Sequence, residues 1–559
     1  MAISSLPIEG ARTVQDALSE GIELHRAGRV SEAERLYRWV LTTDTRNAAA
    51  LHLLGLVAQQ MGDLRSAAKR MQAAIEIDTD QATYRSNLGN VLQIQGRFEE
   101  AVGEYERADQ LRPDHAPTLS NLGMALQSLR RLDEAEAKLR RAALLMPDSA
   151  QVQDNLGNVL QAAGRMEEAF ACHERALRLN PGNAETYGNL GLAQLGLGRW
   201  TAAMDSFGRA LAISPGDSRI GLARAQLQLL LSDFEHGLRN FEVRKQVHGA
   251  RKPGGREWGG ESGLIVGAGV GASVGARFGV SSGAADSLLL YGEQGLGDTV
   301  QFLRYLPQVR DVFAGDVILE VQEPLLRLAG ELPGIRVVVR AGESPPSFAW
   351  HCSLMSLPWV LGGSRAPWET AAGSVGLAPS VPYLTVPEAA GRKADAALGT
   401  STGLRVGLVW AGNPMHVRDR FRSIPLSQFN PLLGVETQGV RFYSLQLGRA
   451  RADLQMPEPR LIDLSDAIED MADTAALIER LDLVIGVDTA VVHLAGALGK
   501  PVWTLLPFSP DWRWGLERED CPWYPTMRLF RQPRPGDWES VVERVGAALR
   551  EEIQKSGWG

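Results

Sequence analysis

Residues 481–507, LDLVIGVDTAVVHLAGALGKPVWTLLP, put an acid, a hydroxyl and an imidazole into one short span: Asp488, Thr489 and His493. The run LDLVIGV is apolar and β-branched, as a strand buried on both faces requires. TAVVHLAGALG reads as a helix that Gly499 closes, and PVWTLLP comes at once as a second strand. The spacing therefore predicts a βαβ unit with parallel strands. Ligands of such sheets sit at the carboxyl ends of strands, where a helix start offers free N–H groups and partial positive charge. A diphosphate suits that position, held by the backbone at Thr489 and Ala490. His493 stands one helical turn in, either as a packed structural group or as part of the phosphate lining.

Two other stretches carry groups that could meet such an anion. SLLLYGEQGLGDTVQFLRYLPQV reads as a strand, a glycine-rich turn and an amphipathic helix. Gly295 and Gly297 would let a ligand approach the backbone closely. Asp298 at the helix start is either an N-cap or a carboxylate at the mouth of a cleft. Further on, the buried strand LRVGLVWAG runs into NPMHVRDRFRS, which holds Asn413, His416, Asp419, Arg420, Arg422 and Ser423. So many polar groups after a core strand mark a site or a solvated loop. The next strand, RFYSLQ, brings in Gln446, and Trp512 and Trp514 stand in a later loop able to face a ring.

The N-terminal half is built differently. Gly21, Gly55, Gly89, Gly123, Gly157 and Gly191 recur at a fixed step of 34 residues, as do Ala33, Ala67, Ala101, Ala135, Ala169 and Ala203. Pro113, Pro147, Pro181 and Pro215 keep the same step. This is the tetratricopeptide period: a first helix with Leu-Gly, a second with Ala, and Pro at the repeat end. Ala225, Gly237 and Phe241 continue the register into a degraded seventh repeat, expected to cap the array. Asn87, Asn121, Asn155 and Asn189 form another column. An amide both donates and accepts, so the column suits either a clamp on an extended peptide backbone or hydrogen bonds between repeats.

The chain thus divides into four regions: a repeat array over 1–245, a glycine-rich linker over 246–285, and α/β lobes over 286–398 and 399–559. GAGVGASVG in the linker lacks the flanking strand and helix of a dinucleotide loop. The chain has 559 residues, 44% hydrophobic and 22% charged, with a net charge of −8 that argues against nucleic acid as a partner. Cys172, Cys352 and Cys521 offer neither a disulfide framework nor a zinc spacing, and a reducing cytoplasm is expected. No signal peptide and no 18-residue apolar run is evident. Asp78-Thr79-Asp80, the lone DxD, falls in a turn between repeats, so no metal is expected.

GEQGLGDTVQF, VGLVWAGNPMH, RS and VDTAVVHLAGALGKPVW together resemble the catalytic region of bacterial glycosyltransferases related to ADP-heptose lipopolysaccharide heptosyltransferases, in particular those fused behind tetratricopeptide repeats. The array also resembles that of eukaryotic O-GlcNAc transferase, whose asparagine ladder holds acceptor protein. The resemblance implies a GT-B fold, two Rossmann-like lobes with a terminal helix crossing back. It implies that Asp298 is the base and that Asp488, Thr489, Ala490 and His493 form the nucleotide-diphosphate loop. Asn413, His416, Arg420, Arg422, Ser423 and Gln446 complete the donor side.

The expected activity is an inverting, metal-independent transfer from a nucleotide-diphosphate sugar to a protein or polymer docked on the array, with no cofactor. Such a transfer needs one base and no nucleophile. Arg422 and Arg420 would add charge-assisted bonds to the diphosphate, and Asp488 suits sugar hydroxyls or loop ordering better than phosphate. The long array and the GNPMHVRDRFRS loop depart from heptosyltransferases and weigh against heptose and lipid acceptors. The competing reading is a non-catalytic scaffold. A nucleotide-sugar epimerase would have no use for a peptide-binding array.

Overall fold

The computed structural model describes residues 13–247, 253–259, 287–313, 315–362, 381–399, 403–416, 418–434, 439–455 and 460–556. Most of the glycine-rich stretch 246–285 lies outside the described residues. The chain divides into two compact units, Met1–Pro215 and Gly216–Gly559.

The first unit is a solenoid of paired helices. Among its described residues six pairs succeed one another, from Val14–Arg26 and Val30–Thr43 to Ala184–Gly196 and Trp200–Ile213. The glycine column is where a large side chain of the second helix seats on the first. A methyl at Gly89 would stand 2.6 Å from Tyr105. The alanine column is fully buried. Each pair turns through a residue at positive φ: Gly28, Gly62, Gly96, Arg130, Gly164 and Gly198. The Asp78–Asp80 segment is the turn between the helices Leu64–Ile77 and Ala82–Ile94, as its sequence suggested.

The second unit opens with the helices Ser218–Leu230 and Phe234–Phe241, joined through Ser232 at φ 64°, and the single turn Arg244–Val247. This pair, read as the degraded cap of the array, falls in the second unit, although the repeat geometry persists through Ser232.

Strands β1 (Arg256–Glu257), β2 (Ser287–Tyr291), β3 (Asp316–Val321), β4 (Val337–Arg340) and β5 (Trp350–Ser353) form an all-parallel sheet in the order β1-β5-β2-β3-β4. β1 falls inside the stretch read as linker. It pairs at the sheet edge with Trp350 and His351. Strands β6 (Leu404–Val409), β7 (Val440–Ser444), β8 (Leu461–Asp463), β9 (Leu483–Val487), β10 (Val502–Leu506) and β11 (Met527–Arg531) form a second parallel sheet, β11-β10-β9-β6-β7-β8. The central strands β2, β9 and β10 are buried throughout, matching their unbroken apolar runs.

Two helices sit differently from expectation. Glu388–Leu398, read as the end of the first lobe, packs on Met471–Arg480 of the second, with Arg480 paired to Asp395 at 2.6 Å and Lys393 to Asp473 at 2.7 Å. The terminal helix Trp538–Ser556, expected to cross back to the first lobe, packs among the described residues in the core of the second. Val541, Val542, Val545 and Leu549 join the second-lobe core with Ile485, Leu505 and Phe530, because that apolar stripe matches the open face of its own sheet.

Candidate active site

In each sheet the strand order reverses once: between β2 and β5 in the first, and between β6 and β9 in the second. Ligand crevices in open parallel sheets form at the carboxyl ends beside such reversals. The loops after β2, β6 and β9 are the ones the sequence singled out, and the loop after β10 joins them.

Asp298 lies in the helix Leu296–Phe302 and turns back on its own loop, where its Oδ2 accepts the Gly295 N–H at 2.9 Å. The capping role is therefore real. The carboxylate does more than cap, because its Oδ1 also takes a charge-assisted hydrogen bond from Arg513 of the opposite lobe. Burial pushes the Asp298 carboxyl above its ordinary range, against the pull of Arg513 and the Gly295 amide. Gln294, at φ 59°, turns the loop here.

Gly297 allows the close approach of two helices. A methyl there would meet His493 Cδ2 at 2.9 Å and Ala490 Cα at 3.4 Å. The helices Leu296–Phe302 and Ala490–Ala497 thus meet start to start, one from each lobe.

Thr489 is the N-cap of Ala490–Ala497, with extended backbone and no capping bond from its own side chain; its Oγ1 is buried without a partner. The first N–H groups of this helix are left for an incoming acceptor. His493 is packed among rings. Its Nδ1 lies 3.0 Å from the Tyr524 hydroxyl, its ring stacks on Trp514 at 5.1 Å, and its Nε2 is 3.8 Å from Asp488 Oδ1. Burial, aided by Arg513 and Arg304, holds its pKa down at about 3, so the imidazole is neutral. Asp488 is pushed up by burial and by the neighbouring Asp511 carboxylate. Asp511 itself is held low, since its pair with Arg513 at 2.8 Å outweighs its burial.

The loop after β6 is exposed at 413–416 and braced behind by its own polar side chains. Arg422 donates to the Asp488 carbonyl at 2.8 Å and to Asp419 Oδ1 at 3.2 Å. Ser423 donates to Asp419 and accepts the Gly412 N–H at 2.9 Å. Gly412 is required here, for a methyl would stand 2.5 Å from Asp419 Oδ1. Gln446, 3% exposed, accepts the Trp410 and Ala411 N–H groups and donates to the Ala411 and Leu447 carbonyls. Its amide is fully used, so Gln446 and Ser423 shape the loop instead of facing a ligand. Asn413 caps the Met415 N–H, and His416 stays exposed. Arg420 stacks on Phe421 at 4.4 Å.

Trp512 and Trp514, expected to face a ring, are 5% and 1% exposed and belong to the core. The residues between and beside them do the polar work. Arg513 links Asp298 to Asp511, and Arg418 reaches the Ser509 carbonyl at 2.5 Å. Sequence reading missed Arg418, Asp511 and Arg513 as site groups. The signal was their position directly after the carboxyl ends of β6 and β10.

In the array, each ladder amide is turned to the preceding repeat. Asn87 bonds His52 at 2.9 Å, Asn121 donates to Asn90 at 2.8 Å, Asn155 to Ser120 at 3.0 Å, and Asn189 to Asp154 at 3.2 Å. The column thus splints repeat to repeat. Among the described residues no cluster of three or more His, Cys, Asp or Glu is placed to hold a metal ion, and no helix is long and apolar enough to cross a membrane.

Comparison with known proteins agrees with this division. Residues 48–81, 80–146 and 148–216 match tetratricopeptide repeat families, and residues 469–535 match glycosyltransferase family 9 (heptosyltransferase). The latter segment carries Asp488, Thr489, His493, Asp511 and Arg513. Protein FlbA of Caulobacter vibrioides is 28% identical over 291 residues, covering 47% of this chain and 46% of FlbA, so the match spans about half of that protein. Among solved structures, the APC/C hetero-tetramer Cut9-Hcn1 aligns with 18% identity and a TM-score of 0.38 over 43% of this chain and 48% of that one. PilF of Pseudomonas aeruginosa aligns with 19% identity and a TM-score of 0.35 over 38% and 96%. The chain combines tetratricopeptide repeats with a C-terminal α/β region that carries a heptosyltransferase-family segment, which supports a glycosyltransferase.

Proposed function

We propose that the C-terminal unit transfers a sugar, with inversion and without a metal, from a nucleotide-diphosphate sugar to a protein or polymer acceptor docked on the repeat array. The observation that carries this reading is the meeting of Asp298 of one lobe with Arg513 of the other, beside the open helix start at Thr489. The diphosphate would bind the N–H groups at the start of Ala490–Ala497, with Arg422, Arg418 and Arg513 supplying the charge that a metal supplies elsewhere. Asp298 would take the acceptor hydroxyl proton. A carboxylate has about four lone-pair positions, so Gly295 and Arg513 leave room for that donor. Its raised pKa makes it a stronger base than a free aspartate. Neutral His493 would order the donor side, and Asp488 would meet sugar hydroxyls rather than phosphate. On the array, the Oδ1 atoms of Asn87, Asn121 and Asn189 are the groups that would accept from a peptide N–H.

The same ion pair on Asp298 suits a second reading, a non-catalytic scaffold whose lobes are locked together. Asp298→Asn separates the two. The transferase reading predicts a fall in kcat of about 10²–10⁴-fold, with ADP, UDP, GDP or dTDP still raising the Tm of the variant as in the wild type. Unchanged turnover, or binding lost along with turnover, would count against Asp298 as base.

A further inference from the structure

We infer that the helical segment 218–247 is a strut that positions the two loops of the candidate site, with Arg244 as the residue that places Asp298. The inference rests on the transferase reading and adds to it the element that sets the geometry of the base.

The crevice beside the β2/β5 reversal, where a ligand of the first lobe would be expected, is filled by the chain itself. Arg244 has no exposed surface. Its Nε donates to Glu293 Oε2 at 2.9 Å, its Nη1 to Glu242 Oε1 at 2.5 Å, and its Nη2 to Ser356 Oγ at 2.7 Å and Ser353 Oγ at 3.3 Å. Ser353 and Ser356 lie at and just past the end of β5; Glu293 lies just past the end of β2. One guanidinium therefore ties both loops of the reversal to the strut. Glu293 begins the turn whose Gly295 N–H holds Asp298, so its position is passed along two residues to the carboxylate.

The strut also meets the other side of the Asp298 ion pair. Phe241 packs edge-on against Trp512 at 5.8 Å, and Ser218–Leu230 lies on the Trp512–Trp514 turn that carries Arg513. Asp298 and Arg513 are thus each one short loop away from the same helical segment. A misplacement of a reacting group by about 1 Å can cost about 10²-fold in rate. Removing one partner of a buried ion pair leaves an uncompensated charge, so loss of Arg244 should shift the Glu293 loop toward water.

The test uses the full chain and the variants Arg244→Gln, Arg244→Lys and Glu293→Gln. Hydrogen exchange is read at residues 293–303 and, for reference, at β9. We expect exchange at 293–303 to rise more than tenfold in Arg244→Gln and in Glu293→Gln, with β9 unchanged and Arg244→Lys intermediate. With a nucleotide-sugar that turns over, kcat should fall 10- to 100-fold while the donor KM stays within about twofold, because the diphosphate groups lie on the other lobe. Exchange at 293–303 that stays at the wild-type rate in a folded variant overturns the inference, as does a rise shared equally by β9. Glu293→Gln keeps shape and volume and decides the matter if Arg244→Gln does not fold. The exchange result stands without any substrate, so a protein that turns over no donor refutes the transferase reading and leaves the strut to be judged on its own.

Discussion

His493 shows how much a side chain's surroundings alter its chemistry. On the sequence it is an imidazole one turn into a helix whose start suits a phosphate, either a packed group or part of that lining. In the fold it is buried against Trp514 and Tyr524, with Arg513 and Arg304 nearby, and a second positive charge there is unfavourable. The imidazole titrates near 6.5 when unfolded and at about 3 when folded. Between those values the unfolded chain binds the extra proton. The contribution of His493 to stability is therefore complete above about pH 6.5 and is lost as pH falls toward 3. His493→Asn should remove up to one proton's worth of that slope, about 1.4 kcal/mol per pH unit. Urea unfolding of the second unit at pH 5, 6 and 7 measures it, and an unchanged slope would show that His493 is not held neutral. This residue was found from the sequence because its place in the motif is local. Its charge state was not, since Trp514, Tyr524 and Arg513 come from elsewhere in the chain. The same reason hid Arg244, which looks like any basic residue past the end of a repeat.

At the scale of elements, the repeat array was legible because every signal in it is local and recurs. Glycine seats, alanine contacts and proline stops all fall within one helix pair. The turn column carries a further signal of the same kind. Positions 28, 62, 96, 164 and 198 are glycine at positive φ, while Arg130 occupies the same place at φ 62°. An L-residue with a side chain pays about 1–2 kcal/mol for that conformation, offset in part by the extra freedom glycine has when unfolded, about 0.5–1 kcal/mol. Arg130→Gly should therefore stabilise the array by about 0.5–1 kcal/mol, seen as a higher urea midpoint. A lower midpoint would mean that the Arg130 side chain contributes more than its backbone costs. Strands β2, β6, β7, β9 and β10 were legible for the same local reason, as apolar runs, whereas β8 and β11 were not read as strands. The elements misplaced were those whose partners are remote. The helix Glu388–Leu398 comes after the first lobe in sequence but pairs with Asp473 and Arg480 of the second. The two-residue strand β1 has no hydrophobic pattern to announce it.

At the scale of the molecule, the chain joins a column of splinted repeats to an α/β unit whose two parallel sheets aim their carboxyl ends at one polar cluster. The motifs at β2, β6 and β9 could be read one at a time; that they converge could be inferred only from the resemblance, and the cluster's centre, Arg513, was not assigned at all. Its partner Asp298 lies 215 positions away. Such a pair leaves no periodicity or spacing to detect. The central claim, that this cluster moves a sugar off a nucleotide, is tested most directly by incubating the full chain with each of the common ADP-, UDP-, GDP- and dTDP-sugars and a peptide acceptor library, and measuring nucleoside diphosphate release. The account predicts release from one nucleotide class, rising with acceptor and nearly abolished by Asp298→Asn. Release from none of them, with no nucleotide class raising the Tm, would contradict it and leave the second unit a scaffold.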